Sequence, residues 1–403
     1  MINLSAGQTE ACERLEAWWQ GSPERRPFRL NGYAGTGKTT AVEHFLKRLG
    51  LQRDQVRLLA PTGKAARVLA NRTGWDASTV HRELYQPLES EELQDLKNRL
   101  KAATTDAEIA QLRRQLARHE RRGKSVSFSM KATTTDAQLF IVDEASMLDE
   151  RLAGDLRALR VPLLLLGDPG QLPPVKGRAG FADVKADVTL TEILRQDEGS
   201  AILRAAELVR TGEGLPSTCD WGTFRRVRPK ELTDAEYATY DVLLCGTHKV
   251  RKAFNRRLRR QFLPHLDDQA ADGWLPRSGD RLVCRANDYR RSLLNGQLLR
   301  ATADAHEEDD LRIALDVLDD EGVERHGEVS SALRFQDHYR RNVAVHKVER
   351  ALELDYAYAL TVHSAQGSEW ERIVVLNDWK GNQARQWLYT AITRGAREVV
   401  LVG

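Results

Sequence analysis

The chain has little of what marks several common protein classes. Its four cysteines, Cys12, Cys219, Cys245 and Cys284, are scattered over 403 residues with no CxxC pair. That argues against a disulfide framework or a zinc site and fits a reducing compartment. Met1 opens onto polar sequence without the apolar core of a signal peptide, and the longest aliphatic stretch, near Val161–Leu166, is far too short to span a bilayer. A soluble, cytoplasmic protein is expected. Global positive charge is also missing: the net charge is only +3, so any basic surface must be local. No histidine cluster or further carboxylate motif suggests a nuclease or relaxase centre.

What is present describes a globular protein of more than one domain. Apolar residues make up 41% and charged residues 30%, and the length exceeds what one ordinary core holds, so two or three domains are expected. Local basic clusters occur at Arg118, Arg121, Arg122 and Lys124, at Arg225, Arg226 and Arg228, and along Arg251–Arg260. On composition alone they read as solvated helix faces.

Short apolar runs that end abruptly in Gly, Pro, Thr or Asp recur at Phe28–Leu30, Val56–Leu59, Leu139–Val142 and Leu163–Leu166. Such runs predict buried parallel strands with crossover helices between them, and in open α/β sheets ligands gather beyond the strands' carboxyl ends. A second set, Val242–Cys245, Ile373–Leu376 and Glu398–Val402, predicts a second α/β domain. Inside it, residues 276–350 have a β-rich texture with a turn at Ser278-Gly279-Asp280 and an acidic stretch from Asp304 to Glu321. There Asn295-Gly296, between Leu293-Leu294 and Leu298-Leu299, predicts a hairpin. Inside the first domain, residues 89–122 carry two leucine-rich stripes (Leu93, Leu96, Leu100; Ile109, Leu112, Leu116) separated by a Thr105/Glu108 capping box, which predicts an antiparallel helical arm.

The chemistry begins at Gly32-Tyr33-Ala34-Gly35-Thr36-Gly37-Lys38-Thr39, which fits GxxxxGK[ST] at every fixed position between a strand and a helix that takes in Thr40. Glycines at this spacing let backbone N–H groups surround phosphate oxygens at a helix N-terminus. Lys38 would reach the outer phosphates and the Thr39 hydroxyl would hold Mg²⁺. Ile141-Val142-Asp143-Glu144 delivers two carboxylates to a buried strand's end, costly unless a cation or water receives them. Asp143 suits the metal shell and Glu144 suits activation of an attacking water. Taken alone, the pair could equally be helix capping, because Asp149 nearby has the look of an N-cap.

With these motifs in place, the rest of the chain resembles superfamily 1 helicases, in the group that includes the phage Dda helicase and the RecD-type enzymes. The resemblance runs from Gln8 almost to the C-terminus. It implies that Gln8 reads adenine, although Ser5 and Gln8 also have capping-box spacing. Ala60-Pro61-Thr62-Gly63-Lys64-Ala65-Ala66 is similar to the first strand-contact motif, with Thr62 and Lys64 on the nucleic acid backbone. Thr79-Val80-His81-Arg82 is similar to the next, with His81, which read alone is an ordinary helix residue. Gly167–Val175 matches the coupling motif, with Gln171 sensing the γ-phosphate and Pro173 in the segment touching DNA. Leu190–Gln196 and Tyr389–Ala396 resemble the motifs that carry arginine fingers, Arg195 and Arg394.

Leu360–Glu369 resembles the motif that grips DNA through Thr361, His363 and Ser364 and relays nucleotide state through Gly367 and Glu369; relatives have Lys where this chain has Ser364. The implied fold is α/β: two RecA-like parallel-sheet domains, the first with a helical/β insertion and the second with an SH3-like β-barrel insertion. The boundaries are 1–185 for the first domain with its insertion at 86–137, 186–275 plus 351–403 for the second, and 276–350 for the barrel. Phe128, in the alternating Ser125–Ser129 stretch, is a candidate for the wedge tip or a half-buried strand residue.

The implied function is an ATP- and Mg²⁺-dependent DNA helicase moving 5′ to 3′ on single-stranded DNA, a monomer meeting ss/dsDNA junctions and, through the helical arm, replication or recombination proteins. Alternatives are a translocase or RNA helicase of the same superfamily, or a nucleotide-dependent scaffold in a recombination or repair complex.

Overall fold

The computed structural model describes residues 4–21, 26–88, 98–100, 105, 109, 111–112, 115, 127–131, 136–173, 179–193, 201–263, 273–288, 291, 293–320, 322–340, 343–348 and 351–403, with backbone alone for 87–88 and 127–129. It divides into two compact units: Met1–Val80 with Asp136–Gly403, and His81–Thr135.

In the larger unit, the predicted apolar runs are the strands of a parallel sheet: β1 (Phe28–Gly32), β2 (Val56–Ala60), β3 (Ala77–Thr79), β6 (Leu139–Val142), β7 (Leu163–Gly167) and β8 (Val188–Leu190), in the order β3-β2-β6-β7-β1-β8. Every residue of β6 and β7 is buried, as expected of strands covered on both faces. The covering helices are α1 (Ala6–Gln20), α2 (Lys38–Leu49), α3 (Gly63–Thr73) and α5 (Glu150–Ala158). Side chains fix where they start. Ser5 and Gln8 form a complete capping box on α1, Thr62 caps α3 through Ala65, and Asp149 caps α5 through Leu152. Neighbouring parallel strands β6, β7 and β1 therefore present Asp143-Glu144, Asp168 and the glycine loop on one sheet edge. One revision concerns β8, which lies past the boundary drawn at 185 and yet pairs with β1. Three residues that alternate buried, exposed, buried give too short a pattern to assign from sequence.

The second parallel sheet contains β9 (Cys219–Asp220), β10 (Phe224–Val227), β11 (Val242–Cys245), β18 (Ala359–Thr361), β19 (Trp370–Leu376) and β20 (Gly395–Val402), in the order β18-β11-β19-β20-β10-β9. Only β9 runs antiparallel. It carries α6 (Ala201–Thr211), α7 (Asp234–Ala238), α8 (His248–Phe262) and α10 (Ala384–Ile392).

The third sheet is antiparallel and consists of β12 (Arg281–Cys284), β13 (Leu298–Ala301), β14 (His306–Asp309), β15 (Arg312–Asp319), β16 (Glu324–Ser331) and β17 (Leu354–Tyr356), with α9 (Leu333–Tyr339) following β16. Two readings change here. Strand β17, assigned by the boundary at 350 to the second parallel sheet, pairs with β12 because Asp355 is held in the third sheet's core by Arg251 and His338. The Asn295-Gly296 turn ends a longer β12–β13 connection, in which Leu293 bonds back to Asp288 rather than forming a strand. The basic run on α8 is only in part a solvated face, formed by Arg256, Arg257 and Arg260. Arg251 pairs with Asp355, Lys252 with Asp337, Arg257 with Asp234 and Arg259 with Asp280, so these cations fasten the helix to its surroundings.

The smaller unit contains α4 (Val80–Leu84) running into β4 (Tyr85–Leu88), which pairs antiparallel with β5 (Ser127–Met130). Phe128 faces Pro87 across this ladder; its side chain lies outside the described residues. So does most of the helical arm expected at 89–122, and with it the basic cluster from Arg118 to Lys124.

Candidate nucleotide site

The loop from Gly32 to Lys38 is shaped by contacts that only its own residues allow. Gly35 and Gly37 take φ values of 80° and 73°, in the left-handed region, and a Cβ on Gly32 would sit 2.6 Å from Thr36 Oγ1. Thr36 Oγ1 donates to Tyr33 O at 2.9 Å, closing the turn, and Lys38 Nζ donates to the carbonyls of Gly32 and Tyr33. Thr39 and Thr40 lie half-buried in the first turn of α2. Gln8 uses its amide twice. The oxygen accepts from Ser5 N at 3.0 Å, and Nε2 donates to Gly37 O at 3.1 Å, so the cap of α1 is bolted to the phosphate loop.

Opposite the loop stand the carboxylates. Burial raises the pKa values of both Asp143 and Glu144; Asp143 raises that of Glu144 further, while Lys38 and Arg394 oppose the rise at Glu144. Glu144 sits at φ 49°, ψ 39°, a left-handed conformation costly for a side-chain-bearing residue. Gln171 Nε2 lies 3.4 Å from both Glu144 Oε1 and Asp168 Oδ2, and Gln171 Oε1 is buried without a partner among the described residues, placed to orient a water. The Thr39 hydroxyl and the Asp143 carboxylate are oxygen donors of the kind a hard divalent cation takes while keeping most of its water. Among the described residues no group of three or more His, Cys, Asp or Glu forms a self-sufficient metal cage.

The second parallel sheet closes on this edge. Leu172 N donates to Thr390 Oγ1 at 3.0 Å, and Gln366 Nε2 donates to Leu172 O at 2.9 Å. Tyr389 accepts from Ala34 N at 2.9 Å and donates to Asp168 Oδ2 at 2.8 Å. Arg394 is buried, bonded to the carbonyls of Thr390 and Ser368 and close enough to Glu144 to favour its ionised form. Arg195, Pro174 and Val175 lie outside the described residues. A cavity of about 570 Å³ opens beside the loop between Tyr33, Gly170, Arg210, Arg385 and Tyr389. Sequence reasoning placed Tyr389 in a motif but gave it no role; a donor 355 positions away leaves no local signal.

A profile of the AAA domain matches residues 3–222, more than half of the chain. The chain belongs to the AAA-domain family. A UvrD-like helicase C-terminal domain matches residues 356–402. The ATP-dependent RecD2 DNA helicase of Deinococcus radiodurans is 31% identical over 393 residues, covering 91% of this chain and 45% of that protein. The RecBCD enzyme subunit RecD of Mycobacterium tuberculosis is 27% identical over 435 residues, covering 93% of this chain and 66% of that protein. The chain thus spans about half to two thirds of the length of these relatives. The crystal structure of Bacteroides Pif1 bound to ssDNA shares the fold, with a TM-score of 0.53 at 17% identity over all of this chain and 92% of that one. These likenesses agree with the resemblance to superfamily 1 helicases of the Dda and RecD type.

In this AAA-domain chain, the residues assigned to strand contact have other partners in the structure. Thr62 Oγ1 caps α3, and the Lys64 ammonium lies 4.4 Å from the centre of the Trp370 ring. Thr361 and Ser364 bond each other at 3.0 Å within a 3₁₀ turn, His363 packs edge-on to Trp379, and His81 lies 4.6 Å from the Tyr85 ring. Pro173 is the last described residue of its motif. Gly367 and Glu369, expected at the nucleotide, are placed against α3: a Cβ on Gly367 would meet Ala65 at 2.9 Å, and Glu369 pairs with Arg72. Both contacts are made to the helix that follows the first strand-contact motif, and the Arg72–Glu369 ion pair holds the segment there.

Proposed function

We propose that the chain is an ATP-driven motor that steps 5′ to 3′ along single-stranded DNA and parts duplex ahead of it. The observation that carries this reading is the division of the catalytic charge. Lys38, Asp143, Glu144 and Gln171 come from the first sheet, whereas Arg394, within electrostatic reach of Glu144, comes from the second. An arginine delivered across a cleft is typically worth about 10³–10⁵ in rate, which couples closure to hydrolysis.

In this reading Thr39 and Asp143 would hold Mg²⁺, which would supply charge neutralisation at the phosphates. The chain's own groups bind the phosphates (the loop and Lys38), activate water (Glu144, oriented through Gln171) and stabilise developing charge (Arg195 as the first finger and Arg394 as the second). The two parallel sheets act as RecA-like lobes, the third sheet as their SH3-like insertion and residues 86–137 as the insertion of the first lobe. The motor works as a monomer in the cytoplasm; no described helix is long and apolar enough to cross a membrane. The Deinococcus relative's name and the ssDNA held by the Bacteroides Pif1 structure support DNA as the track.

The test is strand displacement on duplexes bearing a 5′ or a 3′ single-stranded tail, with DNA and RNA tracks, using wild type and Lys38→Ala. Unwinding of 5′-tailed DNA that vanishes in the variant is expected. ATP hydrolysis without displacement on any substrate would make the chain a translocase, and displacement that survives Lys38→Ala would overturn the site.

A further inference from the structure

The hydroxyl of Tyr389 occupies a position that the nucleotide reading leaves without a task. It sits on α10 of the second lobe, with the residue 2% exposed, and touches the first lobe at two points. It accepts the N–H of Ala34 in the phosphate loop and donates to Asp168 Oδ2. Asp168 accepts in addition from Gly170 N at 2.9 Å and from Gln171 Nε2, and Gln171 in turn reaches Glu144. The resulting line of hydrogen bonds runs from the loop, through a phenol of the opposite lobe, to the group that activates water. Burial and the neighbouring Asp168 carboxylate push the phenol's pKa far up, so its proton stays available to Asp168 throughout the working pH range.

A second observation shows that the seat is built for the ring. A Cβ on Gly170 would lie 2.9 Å from Tyr389 Cε1 and 3.2 Å from Cδ1, closer than carbon atoms pack, so the ring enters only because residue 170 has no side chain. The ring also lies edge-on to Tyr33, with centroids 6.5 Å apart, and the Arg210 guanidinium lies 4.0 Å from the Tyr33 ring centre.

We infer that Tyr389 is a positioning residue for hydrolysis: when the lobes meet, its hydroxyl fixes the phosphate loop at Ala34 and orients Asp168, which holds Gln171 against Glu144. This rests on the reading of the cleft as an ATPase site. It assigns the sensing of lobe closure to a neutral hydrogen-bonding group as well as to the arginines. Because the phenol touches the protein and not the reacting atoms, its loss should lower turnover without removing nucleotide affinity.

The experiment measures steady-state ATPase with single-stranded DNA present, nucleotide affinity by titration and melting temperature, for wild type, Lys38→Ala, Tyr389→Phe and Gly170→Ala. Tyr389→Phe keeps the ring and deletes both hydrogen bonds, one of them to a carboxylate. A fall in kcat of about ten- to a hundredfold is expected, with KM and nucleotide affinity within about threefold of wild type. Gly170→Ala, which displaces the ring with its hydroxyl intact, should give the same split between kcat and KM. Tyr389→Phe with wild-type kcat, or with kcat and nucleotide affinity lost in equal proportion, overturns the inference while leaving the ATPase reading intact. A wild type that does not hydrolyse ATP, or hydrolysis that survives Lys38→Ala, overturns the ATPase reading and the inference with it.

Discussion

Lys64 is the residue at which structure and proposed function pull hardest against each other. Its ammonium is folded onto Trp370, where the ring face attracts it, and Asp320 nearby also favours the charge. Burial outweighs both, and the pKa falls from its ordinary 10.5 to about 8. That fall corresponds to roughly 3 kcal/mol lost from the folded state while Lys64 is charged. Below pH 8 both folded and unfolded chains hold the proton and the whole cost is present. Between about pH 8 and 10.5 the unfolded chain binds more protons than the folded one, so stability rises with pH across that window.

Lys64→Met keeps an unbranched chain over Trp370 and removes the charge. At pH 7 it should stabilise the protein by about 1–3 kcal/mol in denaturant titrations and flatten the gain between pH 8 and 10.5. If Lys64 leaves the ring to meet a phosphate when a strand binds, the same variant should lose affinity for single-stranded DNA and reduce the salt slope by about 0.7. A variant less stable than wild type at pH 7, or one whose salt slope is unchanged, would refute the argument.

Other consequences are more direct. Lys38→Ala should abolish ATP turnover while leaving strand binding measurable by fluorescence anisotropy. Arg394→Ala should lower kcat by about 10³ or more with a far smaller change in nucleotide affinity. Because it also removes a cation that favours ionised Glu144, whose pKa burial has already raised, the acid limb of the kcat–pH profile should move to higher pH. Gly63→Ala brings a methyl 2.6 Å from Leu294 Cβ and 2.7 and 2.8 Å from its Cδ atoms and should destabilise by about 1–3 kcal/mol, with Leu294→Ala, which removes both Cδ atoms, restoring part of the loss in a double-mutant cycle. Arg259→Met strands the buried Asp280 carboxylate and should cost about 3–5 kcal/mol, read by urea unfolding.

The legible parts of this molecule are the local ones. The glycine loop, the acid pair after β6 and the parallel strands could be read because each depends on residues a few positions apart. Strands β8 and β17 could not, since three-residue strands carry too little periodicity and acquire their sheet only from a distant partner. The cations of α8 looked solvated because Asp280, Asp337 and Asp355 lie about 20 to 100 positions away. Gly367 and Glu369 were given a nucleotide role by resemblance, while their contacts are made with Ala65 and Arg72, about 300 positions away. Tyr389 stood inside a quoted motif, and what it does is defined by Ala34 and Asp168, which lie in the other half of the chain.

Strand β8 has a mechanical meaning. It is the final strand of the first sheet before the chain passes to α6 of the second, and it lies alongside β1, residue for residue, from Leu30↔Val188 to Gly32↔Leu190. Tension along the tether between lobes is therefore applied lengthwise to a ladder whose other rail ends in the glycine loop. Parallel rails sheared in this way share the force across their rungs together instead of unzipping one at a time, so a pull on Leu190 is passed to Gly32.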